Sequence, residues 1–188
     1  GIVGEGVAAS PNPVLGWVGS LEKFTPGEGY WLRSSCDDFT LEWDCPEVGC
    51  TDALPRIADA NIERSEELNY IQSMEQAFYF ISKIDFQENT IEDGDWIVAF
   101  YEDQIVGARA WSGEYTDIPV MGFDNSDYSI NYIQSGDIPV FKLYKDGEMI
   151  DLYGDAPEFY NLGIFEVQLS DVDPSIPLEF TFKSAYPN

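Results

Sequence analysis

The sequence predicts a mostly β protein, an antiparallel β-sandwich with a smaller N-terminal β segment. Three observations lead there. Aromatic residues make up 15% of the 188 positions, with 12 Phe, 11 Tyr and 5 Trp. They gather with Ile and Val in short runs, the residue types that suit a pleated, half-buried surface. Turn residues divide these runs at close intervals, the pattern of an immunoglobulin-like or jelly-roll-like sandwich.

Residues 1–50 are expected to form the N-terminal β segment. It opens with Gly-rich turns, and Trp17–Leu21 then reads as a short strand. Thr25-Pro26-Gly27-Glu28-Gly29 is turn chemistry, because Pro presets one dihedral and Gly permits positive φ. Tyr30–Arg33 and Phe39–Trp43 follow as two strands. Residues 51–65, rich in polar and acidic residues, read as a connector with a helical turn at Ile57–Arg64.

Residues 66–188 carry the sandwich domain. Leu68–Ser73 and Ala77–Phe86 come first; the second is long enough for a helix, but its aromatic density favours a strand. Trp96–Tyr101 and Ile105–Trp111 make a hairpin about Glu102-Asp103-Gln104. Val140–Tyr144 and Met149–Tyr153 make another, with Asp146-Gly147 supplying the turn. Phe165–Leu169 and Leu178–Phe182 close the series. The pattern x-Asp-apolar-Pro recurs at Thr116–Pro119, Gly136–Pro139 and Gly154–Pro157, and reads as repeated turn chemistry.

Charge narrows the function classes. Nine Lys+Arg against 35 Asp+Glu leave a formal −26. Nucleic acid and anionic membranes both need a basic patch, so neither is an expected partner. Such a surface attracts divalent cations and suits a salty medium, where screening limits self-repulsion. No run approaches the ~18 apolar residues of a membrane span, so no membrane insertion is expected. The chain starts at Gly1 rather than Met and shows no signal peptide. We expect a processed product or a fragment of a longer protein.

Cys36, Cys45 and Cys50 lie close together without any histidine, which is not a zinc pattern. In an extracellular chain one disulfide is expected among them, Cys36 with Cys45 or Cys50, leaving one thiol over.

Two groups of segments resemble modules of large secreted surface proteins of marine and environmental Bacteroidota-like bacteria. The first is Ile2–Ala9, Trp17–Leu21 and Pro26–Trp31, similar to a "GEG…WVGSL…PGxGYW" module. The second runs from Gln76–Phe80 through Gly94–Ile97 and Val106–Arg109 to Asp117–Gly122, similar to a "QAFYF…GDxI…VGA" β module. The end, Ser184–Asn188, resembles the opening of the "YPNPFNP" segment of a type IX secretion sorting signal. The resemblance implies export to the bacterial cell surface without naming an activity.

Chemistry is sparse. Without histidine the commonest general base is missing, and no Gly-rich phosphate loop is present. A carboxylate pair for glycoside hydrolysis is the one catalytic option left, and 35 acids make chance pairs inevitable. No enzyme is therefore expected, and no cofactor is required. Calcium is the candidate ion, with Asp124, Asn125 and Asp127 as oxygen ligands in one loop, although the EF-hand spacing is not met. An Asx-rich turn is the alternative for that loop. Trp17, Tyr30, Trp31, Trp43, Trp96 and Trp111 could form a sugar-stacking platform or a core.

The expected function is a non-catalytic structural or adhesive subunit of a surface assembly. Its partners would be copies of itself or other surface-protein domains, joined head to tail by strand addition. Ile2, Val3 and Val7 at one end, and Phe180 and Phe182 at the other, are the candidate subunit contacts. A carbohydrate-binding module taking glycans, or a spacer in a large adhesin, is the alternative.

Overall fold

The structure is a computed structural model and describes residues 1–25, 27–34, 66–87 and 89–175. Among these residues eleven strands make three sheets, in keeping with the mostly β composition. The N-terminal sheet has the order β3-β2-β1-β4, from β1 (Ile2–Val3), β2 (Ala8–Asn12), β3 (Gly16–Val18) and β4 (Trp31–Leu32). The middle sheet combines β5 (Glu75–Asp85), β8 (Thr116–Gly122) and β11 (Ile164–Ser170) in the order β11-β5-β8. The third sheet is β10-β9-β6-β7, built from β6 (Trp96–Tyr101), β7 (Gln104–Ala110), β9 (Val140–Lys145) and β10 (Glu148–Leu152).

Both expected hairpins form. Tyr101 pairs with Gln104, and Glu102 takes a positive φ of 51° in the turn. Lys145 pairs with Glu148 across Asp146-Gly147, whose φ values of 52° and 84° match a type I′ turn. Pairing is antiparallel throughout the strands, except that β11 lies parallel to β5.

β5 is the centre of the molecule, and its alternation explains its sequence. Ala77, Tyr79 and Ile81 point into the main core, against Ile97, Ala99, Phe141 and Leu143 of the third sheet. Phe78 and Phe80 point the other way, into a second cluster with Val3, Ala8 and Val18 of the N-terminal sheet. A strand covered on both faces reads as a continuous apolar run, which is what Ala77–Ile81 is. Burying Phe78 and Phe80 contributes roughly 1.5–3 kcal/mol each. The described part of the N-terminal segment is therefore a layer on the middle sheet. A third cluster, Leu68 with Val98 and Ala108, covers the outer face of the third sheet.

The two main sheets are laced at both sides. Gly107 of β7 crosses β8 so closely that a Cβ there would overlap the Pro119 carbonyl oxygen. On the far side Tyr153 and Ser170 exchange two backbone hydrogen bonds of 2.8 Å, tying the end of β10 to the end of β11.

Four expectations change. The Gly-rich opening contains two strands, β1 and β2. Pro11 sits in β2 beyond the reach of β1, which pairs only with Ala8 and Ala9, so its missing N–H costs no ladder bond there. Leu68–Ser73 is not a strand: Glu66–Leu68 is a single 3-10 turn, and the segment packs as a strap through Leu68. Thr116–Pro119 is not a turn but the start of β8, buried along its whole length, with Pro119 on a strand that pairs only with β5. Ile2 and Val3 are no free donor strand: β1 is paired on one side with β2 and on the other with β4, and Val3 is buried. The Phe39–Trp43 and Leu178–Phe182 strands, the connector, the three cysteines and the contacts Phe180 and Phe182 lie outside the described residues.

Candidate functional site

The loop proposed for calcium follows β8. Asp124 is its hub. Its Oδ1 accepts from the Ser126 backbone N–H at 3.0 Å and the Ser129 hydroxyl at 2.7 Å. Its Oδ2 accepts from the Met74 N–H at 3.1 Å and the Tyr128 hydroxyl at 2.8 Å. Asn125 takes a left-handed φ of 69°, and a 3-10 turn at Asp127–Ser129 completes the loop. These donors, Ser129 foremost, hold the Asp124 carboxyl well below the usual carboxylate range. The arrangement is an Asx turn that also ties Met74, just before β5, to the loop. Asn125 and Asp127 are exposed beside it. Among the described residues, no group of three or more His, Cys, Asp or Glu side chains could hold a metal ion.

A second polar centre was not foreseen. Asp117 of β8 is 2% exposed, and its Oδ2 accepts from the Ser20 hydroxyl at 2.7 Å and faces Arg109 Nη2 at 3.4 Å. Arg109 also donates to the Asp117 carbonyl at 3.0 Å and to the Gly6 carbonyl at 2.6 Å. Gln76 binds the same segment, donating to Gly4 O at 2.9 Å and accepting from Gly6 N–H at 3.1 Å. Burial pushes the Asp117 carboxyl up, partly offset by Arg109 and Ser20. This clasp fastens the N-terminal sheet to the middle one. The one available signal was an Arg inside an apolar strand of a chain with few cations.

The aromatic candidates divide. Trp96 and Trp111 pack against the core clusters, and Tyr30 packs edge-on against Phe24 at 4.8 Å. Trp43 lies outside the described residues. Trp17 and Trp31 are exposed, but register separates them: Trp17 pairs with Pro11, and Trp31 with Val3. Those pairs belong to opposite faces of the N-terminal sheet, because Ala8 and Ala9 alternate between them. One flat platform holding both is not formed. Val7 sits in the bend between β1 and β2, its carbonyl accepting from Gly4 N–H at 2.8 Å.

A cleft of about 160 Å³ lies between Ser10–Asn12 of β2 and Ile164–Glu166 of β11. That is smaller than the ~300–1,000 Å³ usual for small-molecule sites. No helix among the described residues is long and apolar enough to cross a membrane. No protein-family model, curated protein or solved structure matches the chain.

Proposed function

We propose that this chain is a non-catalytic extracellular subunit, structural or adhesive, of a bacterial surface assembly. What supports the reading most is how the polar groups are used. No buried side-chain nitrogen or oxygen among the described residues lacks a hydrogen-bond partner. The two carboxylates with the clearest environments, Asp117 and Asp124, are engaged in holding layers and loops together. A body whose polar network is used for its own rigidity, with a surface of −26, suits a load-bearing or spacing role in salt. The resemblance of its modules to secreted surface proteins supports the location.

A carbohydrate-binding module is the second reading, favoured by the exposed aromatics Trp31 and Tyr160. Arg33 stands over the Tyr160 ring at 5.7 Å and donates to its hydroxyl at 2.9 Å. Electron microscopy of the concentrated protein, with and without calcium, tests the first reading, which expects ordered multimers or filaments. Isolated particles at every concentration, together with hits on a glycan array, would transfer the case to the second.

A further inference from the structure

The molecule's charge is unevenly spread. From Gly6 to Leu21 no residue carries a charge, although 23% of the chain is charged. This stretch is the β2–β3 hairpin. Asn12 Oδ1 accepts from the Val14 and Leu15 N–H groups at 2.9 and 3.0 Å, which fixes the loop, and Gly16 closes it with a φ of 83°. The hairpin presents Val14, Leu15 and Trp17 at 87%, 59% and 61% exposure. Among the described residues, β3 is the edge of its sheet, paired with β2 alone.

Edge strands invite pairing with another chain unless guarded by charge, Pro or a covering segment. Among the described residues, the edges of β7 and β8 lie against each other, and those of β10, β4 and β11 are guarded. β10 carries Glu148 and Asp151, and β4 is two residues long and runs into Arg33. β11 carries Glu166 and is crossed by Tyr153-Gly154 at its end. β3, itself three residues long, carries no charge and no Pro, and it is flanked by the uncharged, exposed Val14 and Leu15. A chain of −26 repels its own copies nearly everywhere, and the hairpin is where two of them meet without bringing carboxylates together.

We propose that the β3 edge is a self-association surface whose partner is a second copy of this chain. The two β3 strands pair antiparallel about Trp17, their middle residue, and join two four-stranded sheets edge to edge, with Val14 and Leu15 covering the seam. Such a contact is isologous and closes as a dimer. It rests on the assembly reading above and gives that reading one defined interface. Salt strengthens it, because screening shortens the reach of the mutual repulsion to ~3 Å at molar ionic strength.

Sedimentation velocity of the full chain, over a range of concentration and salt, provides the test. Reductant keeps Cys36, Cys45 and Cys50 from linking copies. The expected mass rises from 21.2 kDa toward twice that value as concentration and salt increase. Trp17→Lys, which guards the edge, and Val14→Asp, at an exposed tip where folding is indifferent, should each hold the protein at the monomer mass. Met149→Lys on the β10 edge should leave association unchanged. A wild type that stays monomeric in molar salt overturns the proposal, as do both hairpin variants associating normally. Loss of association in Met149→Lys would refute the β3 edge while leaving the assembly reading standing. Closed dimers without filaments would support the edge and count against a fibre. A monomer that instead floats with phosphatidylcholine vesicles, or binds an arrayed glycan through Trp17, would assign the hairpin to that partner and refute the proposal.

Discussion

Replacing Arg109 with Met should destabilise the protein far more than an exposed arginine would. The side chain donates to Gly6 O at 2.6 Å and Asp117 O at 3.0 Å, and its charge lies 3.4 Å from the Asp117 carboxylate. Met fills the volume of the stem but removes every donor. Asp117 would be left buried with the Ser20 hydroxyl as its side-chain partner. Asp117 is buried but the Arg109 side chain is a quarter exposed, so the cost should lie between the about 0–1 kcal/mol of a surface pair and the about 3–5 kcal/mol of a buried one. Urea unfolding at neutral pH measures the difference directly. The sign of the pH dependence is also set. Asp117 is raised in the folded state, chiefly by burial. The native protein therefore holds that proton more readily than the unfolded chain does. Stability from this group falls as pH rises from the ordinary carboxylate value through the raised one. Losing Arg109 widens that window, so the variant's deficit should be largest near neutral pH and shrink on acidification. In the Arg109→Met background, Asp117→Asn should restore stability, although alone it should cost about 1–3 kcal/mol. A loss under ~0.5 kcal/mol, or additivity of the two substitutions, would refute the clasp.

Asp124 should behave in the opposite way. Its four donors depress its folded value, so the stability it gives is present above the ordinary carboxylate range and is lost as pH falls toward the folded value. Carboxyl-carbon NMR should show Asp124 still ionised where most surface acids have titrated, with Asp117 protonating at higher pH than they do; the reverse order would contradict the geometry. Since hydroxyl and backbone donors already fill Asp124, millimolar calcium or EDTA should leave Tm unchanged, and a clear calcium-dependent rise would mean that the loop rearranges around the ion. Gly107→Ala should destabilise by at least the ~1–3 kcal/mol of ordinary overpacking, because the new Cβ meets the Pro119 carbonyl, part of a strand's backbone. Unfolding of that variant at wild-type urea concentrations would disprove the close β7–β8 crossing.

Local chemistry made part of this fold legible. Asp146-Gly147 dictates its hairpin, and the aromatic run of β5 identifies a strand in spite of its length. What stayed hidden depends on partners distant in the chain. Nothing near Phe78 and Phe80 says that residues 1–18 supply their cover. The parallel pairing of β11 with β5 has no local signature, since parallel strands are joined by long connections rather than turns. Asp117 illustrates the ambiguity best: Thr-Asp-Ile-Pro reads as a turn until Arg109 and Ser20 converge on the carboxylate, and only that convergence makes its burial tolerable. The Asp124 loop was legible as a cluster of oxygens. Its role follows from donors, Met74 N–H and the Ser129 and Tyr128 hydroxyls, that no ligand pattern would have singled out.

Electron microscopy of the cells that make the protein, labelled with antibody to residues 66–175, decides whether the proposed unit of a surface assembly is one. Label is expected on the outer surface, concentrated on filaments, stalks or an ordered coat. Label confined to the cell interior, or spread only through the medium as single particles, would contradict that role.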